Sequence, residues 1–404
     1  MVRILSPSSS RFQRSLALTR CFPLIRLTHT TMSSKIPKTV SVAVVGVGLV
    51  GSEFVRQLQA LQPPHPFRLI SLSSSKATVF NPDGIPPSTD WRALLRASSD
   101  PVADLQRQLA PLVRSDNAVV FVDNTAAVSV AETYPALLRA GVHVVTPNKK
   151  AFSGSQKLYD QIVAASREGG AKFLHEATVG AGLPVLSTLK DLVATGDKVT
   201  RIEGVFSGTL SYIFNEFSTG SADGPSFSTV VRIARDKGYT EPHPADDLNG
   251  ADVARKLTIL TRLVPTPNQQ QQLPDGYASV PTLSLIPPTL ALSSVPTGDA
   301  FLNALQAHDS HFGTLRAEAA HGGGAVLRYV GVIDIDSENG SISVKASLER
   351  YPNTHPFATS LGGSDNVIMF HTKRYGPRPL IVQGAGAGAA VTAMGVLSDV
   401  LKLA

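Results

Sequence analysis

TVSVAVVGVGLVG, Thr39 to Gly51, is the stretch that decides the fold of this 404-residue chain. From Thr39 to Val45 polar and apolar residues alternate and then give way to an apolar run, the pattern of a buried strand. The run enters Gly46-Val47-Gly48-Leu49-Val50-Gly51 directly, and Phe54, Val55 and Leu58 follow at helical spacing. A strand, a GxGxxG turn and a helix in that order make a dinucleotide-binding fingerprint. Gly46 permits the tight turn, Gly48 lets the backbone approach a pyrophosphate, and Gly51 lets the helix close on the strand. The helix, opening at Leu49 and Val50, offers free N–H groups to the anion.

Working outward, strands and helices keep alternating. Phe67–Leu72 is a predicted strand that ends in Ser73-Ser74-Ser75-Lys76, without the acid that would hold a ribose 2′-hydroxyl. Hydroxyls and a lysine suit a 2′-phosphate, so NADP is expected over NAD. Ala118–Val122 reads as a strand ending in Asp123-Asn124-Thr125, Tyr134–Arg139 as a helix, and Val142–Thr146 as a strand ending in Pro147-Asn148-Lys149-Lys150. Polar residues at the C-terminal ends of strands line the crevice of an open parallel sheet, so either lysine is a candidate to touch coenzyme or substrate. Residues 40–175 thus read as an α/β, Rossmann-type parallel-sheet domain.

The second half changes character. Arg201–Phe206 is a predicted strand entering a turn at Gly208-Thr209, with a helix over Leu210–Phe217. Ala325–Val332 and Ser341–Leu348 alternate as antiparallel neighbours, and Asn366–Thr372 adds another strand. An α+β domain over 176–375 is therefore expected. Pro265–Pro288, with six prolines and the run Gln269–Gln272, reads as an irregular connection. Pro379–Gln383 is a strand followed by Gly384-Ala385-Gly386-Ala387-Gly388 and an apolar helix, a turn open to close ligand approach or to plain packing. The segment 376–404 is expected to return to the nucleotide-binding domain.

Two stretches carry candidate chemistry. Ala171–His175 is a predicted strand leading to the glycine turn Glu176–Pro184, where one carboxylate and exposed carbonyls suit a hard cation; a lone His175 beside a lone acid is also an ordinary structural pair. Lys237–Lys256 packs four acids and three bases into a loop, a turn at Asn249-Gly250, and a helix. Asp252 and Lys256 share one face of that helix. Such a pair can bind a zwitterion and move a proton, with the carboxylate keeping the ammonium charged. An exposed surface ion pair has the same spacing, so spacing leaves both readings open.

Composition narrows the class. The chain is 43% hydrophobic, as globular proteins are, and long enough for two domains. No apolar run approaches the roughly 20 residues that span a bilayer, so no membrane association is expected. The net charge is +6, yet residues 1–40 hold seven bases and no acid, which leaves −1 on the rest. A nearly neutral body offers no field for nucleic acid. Cys21, the single cysteine, lies in the same extension, which removes thiol chemistry from the folded part. Residues 1–39 read as a disordered basic extension with the composition of a mitochondrial presequence; a start at Met32 would instead give a cytoplasmic product.

Taken together, the fingerprint at Gly46, TPNKKAFSG from Thr146, EATVGAGLP from Glu176, FSGTLSYIFN from Phe206, KGYTEP to DVARK, and QGAGAGAAVT from Gln383 resemble the homoserine dehydrogenases, in their short monofunctional fungal form. The resemblance runs from about residue 40 to 404. It implies NAD(P)-dependent interconversion of L-homoserine and L-aspartate 4-semialdehyde, in a homodimer. It places Lys256 as the acid/base, Lys150 as a second active-site lysine, and Glu241, Asp247, Asp252, Gly208, Thr209 and Tyr239 around the substrate. Gly46, Gly48, Leu49, Val50, Gly51, Asn124, Thr125, Lys150 and Gly388 are the residues expected to meet the coenzyme. It also implies a monovalent cation, sodium, held by Glu176 with the carbonyls of Val179, Ala181 and Leu183. Threonine control through an appended regulatory domain is not expected. Two further readings stay open at this point: an NADP-binding redox sensor without turnover, and an oxidoreductase for another small amino-acid aldehyde.

Overall fold

The computed structural model describes residues 39–98, 105–265, 273–321, 323–336 and 339–404. The basic extension with Cys21 and Met32, and the Gln269–Gln272 run, lie outside the described residues.

The first lobe is a six-stranded sheet made of β1 (Thr39–Val45), β2 (Phe67–Ser73), β3 (Thr78–Phe80), β4 (Asn117–Asp123), β5 (His143–Val145) and β6 (Phe173–Leu174). Their order is β3-β2-β1-β4-β5-β6, parallel throughout except that β3 returns antiparallel to β2. Both faces are covered, and Val40, Val42, Ala43 and Val44 have no exposed surface, which is why β1 stops alternating halfway. The order reverses between β1 and β4, so the ligand crevice opens at their C-terminal ends. β3 escapes sequence reading because three residues carry no legible period. It closes a hairpin over Ser73–Lys76, where the Ser74 hydroxyl accepts from the N–H groups of Lys76 and Ala77, both at 3.1 Å.

The second lobe is a five-stranded antiparallel sheet of β7 (Val199–Val205), β8 (Val326–Ile335), β9 (Ile342–Tyr351), β10 (Asp365–Thr372) and β11 (Leu380–Ala385), ordered β11-β10-β7-β8-β9. β8 and β9 pair from Val326 opposite Tyr351 to Ile335 opposite Ile342, the expected hairpin. The helices Gly208–Phe217 and Ala251–Thr261 pack on the sheet, and their Leu210, Ile213, Phe214, Leu257 and Leu260 enter one core with Tyr329, Ile333 and Phe370. Each such side chain contributes about 1.5–3 kcal/mol on burial.

The return to the first lobe begins later than residue 376. β11 still belongs to the second sheet, hydrogen-bonded along β10, and only the helix Ala389–Leu401 goes back. Its Ala393, Val396, Leu397 and Val400 share a core with Val40, Val42, Val44, Phe54 and Val55. No helix among the described residues is long and apolar enough to cross a membrane.

Candidate active site

The glycine turn is fixed by close approach. Gly46 sits at φ +84°, and a Cβ there would fall 2.7 Å from Thr125 Cγ2; a Cβ on Gly51 would fall 2.0 Å from the Gly46 carbonyl oxygen. Gly48 faces open space, so the backbone is bare where a ligand would approach. The helix Leu49–Gln59 has no side-chain cap, which leaves its first N–H groups available. Beside it the Asn124 side-chain amide is buried without a partner among the described residues, while its backbone N–H donates to the Val45 carbonyl at 2.8 Å. A buried amide that no protein group satisfies, next to an anion-ready turn, fits a ligand contact.

Three cavities run along this turn. The largest, about 950 Å³, lies between the lobes, with Leu49, Val50, Asn124 and Thr125 on one wall and Thr209, Tyr239, Glu241, Asp247, Asp252 and Lys256 on the other. Gly208 and Gly388 line it as well. A second, about 780 Å³, shares Leu49 with the first, and also touches Gly48, Ser52, Trp91 and Arg92. A third, about 490 Å³, shares Ser52, Trp91 and Arg92 with the second and adds Ser74, Lys76 and Arg96. Neighbouring cavities share these lining residues and so form one trough past the fingerprint.

At the substrate end of the trough stands a charge array. The buried Lys256 ammonium donates to the Phe206 carbonyl at 2.6 Å and pairs with Asp252 at 2.7 Å. Asp252, with 45% of its side chain open, also meets Lys149 at 3.2 Å. Burial pushes Lys256 below the usual lysine range, with Asp252 pulling the other way. For Asp252 burial acts upward, but Lys149 and Lys256 prevail and hold the carboxyl below the usual carboxylate range. Asp247 goes the opposite way: burial lifts it to about 6, although the Glu241 N–H donates to it at 2.8 Å. The Thr209 hydroxyl donates to the Tyr239 carbonyl at 2.6 Å and so ties the loop to the helix Gly208–Phe217. One cation of lowered pKa, one firmly ionised acid and one acid near neutrality can hold an ammonium and move a proton.

Comparison with known proteins decides the family. The family model for homoserine dehydrogenase matches residues 184–401, and that for the homoserine dehydrogenase NAD-binding domain matches residues 46–176. The homoserine dehydrogenase of Saccharomyces cerevisiae is 45% identical over 369 residues, covering 91% of this chain and 98% of that one. The chain belongs to the homoserine dehydrogenase family. A crystal structure from Candida auris, of a protein described as of unknown function, shares 43% identity and superposes with a TM-score of 0.80 over 91% of this chain and 98% of that one. A hyperthermophilic archaeal homoserine dehydrogenase solved in complex with NADPH has the same fold at 19% identity, with a TM-score of 0.63 over 90% of this chain and 97% of that one.

With the family known, the expected residues can be placed. Glu241, Asp247, Asp252, Lys256, Gly208, Thr209 and Tyr239 all reach the inter-lobe cavity, as do Leu49, Val50, Asn124, Thr125 and Gly388. Lys150 does not. It lines a separate cavity with Lys157 and Tyr277, and the lysine that enters the active site is its neighbour Lys149. Asn148 causes this phase: its N–H donates to Thr146 Oγ1 at 2.8 Å, its amide donates to Asp123 at 3.0 Å and to the Ala127 carbonyl at 3.0 Å, and its own oxygen accepts the Lys150 N–H. Ser73 also departs from expectation. Its hydroxyl is fully buried, 3.0 Å from Thr78 Oγ1, and the trough is met instead by Ser74 and Lys76 together with Arg92 and Arg96, which sequence reasoning missed.

At the expected cation site, Glu176 accepts the N–H groups of Leu186 at 2.7 Å and Ser187 at 2.9 Å, capping the helix Val185–Ala194. Gly180 and Ala181 are consecutive left-handed residues, at φ +76° and +54°. The carbonyls of Val179 and Ala181 accept no hydrogen bond among the described residues, while that of Leu183 takes the Val185 N–H at 2.8 Å. An oxygen-only set of this kind fits a hard cation.

Proposed function

We propose that this chain interconverts L-homoserine and L-aspartate 4-semialdehyde, with NADP preferred over NAD and with Lys256 as the proton donor and acceptor. The observation that carries the reading is the Lys149–Asp252–Lys256 array at the end of a trough that passes the glycine fingerprint. The nicotinamide, when bound, supplies or accepts the hydride. Glu241 and Asp247 hold the substrate ammonium, which fixes the C4 carbon and its oxygen relative to Lys256. Lys256 gives its proton to the C4 oxygen in the reducing direction and takes it back in the oxidising one. Its lowered pKa eases both transfers, and Asp252 and the Phe206 carbonyl aim the ammonium. Lys149 adds positive charge where the oxygen becomes negative. A redox sensor would have no use for a buried lysine aimed at a cavity.

Lys76, Arg92 and Arg96 around the third cavity support NADP, because three cations suit a 2′-phosphate. Glu176 with the Val179, Ala181 and Leu183 carbonyls would hold the monovalent cation. A homodimer is supported by the edge strands β9 and β11, where Ile381 is 44% exposed. The basic, acid-free extension supports mitochondrial import when it is translated, and a cytoplasmic product when translation starts at Met32.

The test is homoserine-dependent reduction of NADP⁺ and of NAD⁺ by residues 32–404. Turnover with kcat/KM higher for NADP⁺ by about tenfold or more is expected from one additional charge-assisted phosphate site. Folded protein that binds NADP⁺ and reduces none of it with homoserine would sink the assignment. In the same assay Lys149→Ala is expected to lower kcat by about 10- to 100-fold and Lys150→Ala by less than about twofold; the reverse pattern would restore Lys150.

A further inference from the structure

We infer that the cavity holding Lys150, about 480 Å³, is a binding site for a small phosphate-class anion that reports to the active site. The volume is that of a small-ligand pocket. Lys150, Lys157 and Arg255 line it against a single acid, Glu132, although the body of the chain is close to neutral. Neither Lys150 nor Lys157 forms an ion pair among the described residues. Arg255 lies with its guanidinium 3.6 Å from the Tyr277 ring centroid, and its one protein hydrogen bond among the described residues is a long one, 3.4 Å to Ser153 Oγ. A guanidinium held against a ring face, with a single long hydrogen bond to protein, retains N–H groups for a forked contact with phosphate oxygens. The Ser155 hydroxyl stands at the same wall and makes no cap bond to the helix it precedes.

The coupling follows from which elements carry the cations. Lys149 enters the active site and Lys150 this cavity; on the helix Ala251–Thr261, Lys256 enters the active site while Arg255 lines both. Arg262 locks the two elements together through the Phe152 and Gly154 carbonyls, both at 2.7 Å. An anion that draws Lys150 and Arg255 inward therefore shifts the backbone that aims Lys149 and Lys256. Binding at one cavity must then change binding at the other by the same factor.

The experiment titrates inorganic phosphate against chloride at matched ionic strength, with NADP⁺ saturating so that the coenzyme's own phosphate sites are filled. At ten times its Kd, phosphate is expected to raise Tm by about 2 °C beyond the NADP⁺ value. Lys157→Glu should abolish that increment while retaining the NADP⁺-induced shift and basal turnover. Should Lys157→Glu not fold, Lys157→Gln is expected to weaken phosphate several-fold. No increment over chloride, or an equal increment in the charge-altered variants, overturns the site. Phosphate binding that leaves the homoserine KM and kcat unchanged overturns the coupling. The melting readout does not depend on turnover, so it stands apart from the assay of the reaction.

Discussion

The two walls of the active site are built from different materials. On the first lobe the coenzyme end of the site is backbone, with Lys149 sent across toward Asp252: a bare Gly48, uncapped helix N–H groups, and a turn so tight that a single methyl at Gly51 would meet a carbonyl oxygen at 2.0 Å. On the second lobe it is side-chain charge, with Lys256 and Asp252 on one helix and Asp247 on the short helix Ala245–Leu248 before it. Backbone sites tolerate almost no change of shape, whereas charge sites can lose one function and keep another. The lobes should therefore fail differently.

The largest expected effect is at Lys256. Lys256→Ala should lower kcat by about a thousandfold, as loss of a positioned acid/base does, with NADP⁺ affinity within about twofold of the parent. Weakened coenzyme binding of similar size would show that the walls are not separable. Gly51→Ala should do the converse: a Tm lowered by several degrees and NADP⁺ binding weakened by about a hundredfold, since helix and strand must part to admit the methyl. Titrating NADP⁺ by fluorescence would decide, and near-parental affinity would mean that the turn is more compliant than its geometry.

The smallest effect is a pH dependence carried by Asp247. Burial raises its folded pKa to about 6, above the ordinary aspartate value. The folded state therefore gains this proton as pH falls through 6, so the group favours folding increasingly down to its unfolded pKa of about 4. Substrate binding responds with the opposite sign, because only the carboxylate attracts an ammonium. The homoserine KM should rise about tenfold between pH 7 and 5. Asp252, held below the usual range, stays ionised there and contributes nothing to the change. A KM that stays flat in the parent, or that still rises in Asp247→Asn, would assign the charge elsewhere.

The same contrast explains what was legible in the sequence. β1, β4 and the β8–β9 pair announce themselves by period, and the fingerprint by its glycines, because backbone requirements map onto residue types one position at a time. Charge sites depend on phase, which is set at a distance. Lys149 and Lys150 are chemically identical neighbours, and what separates them is Asn148, pinned to Asp123 and Ala127 from another strand end. Arg92 and Arg96 lie on the Trp91–Ala97 helix, beyond a β2–β3 hairpin that the sequence does not reveal, so their approach to Lys76 needs the β3 fold-back. The return of the chain was read four residues before β11 begins, since that strand carries the same apolar signal in either lobe.

That return sets a schedule for the molecule in the cell. The core under β1 is completed by Val396, Leu397 and Val400, which are synthesised roughly 350 residues after Val40, Val42 and Val44. At about 5–20 residues per second, the earliest strand waits on the order of tens of seconds for its final partner. During that time an apolar face of the nascent chain is uncovered, and the second lobe, complete by β11, is finished before the first. The cover for that face is delivered last, so the first lobe is the one whose core stays open longest during synthesis.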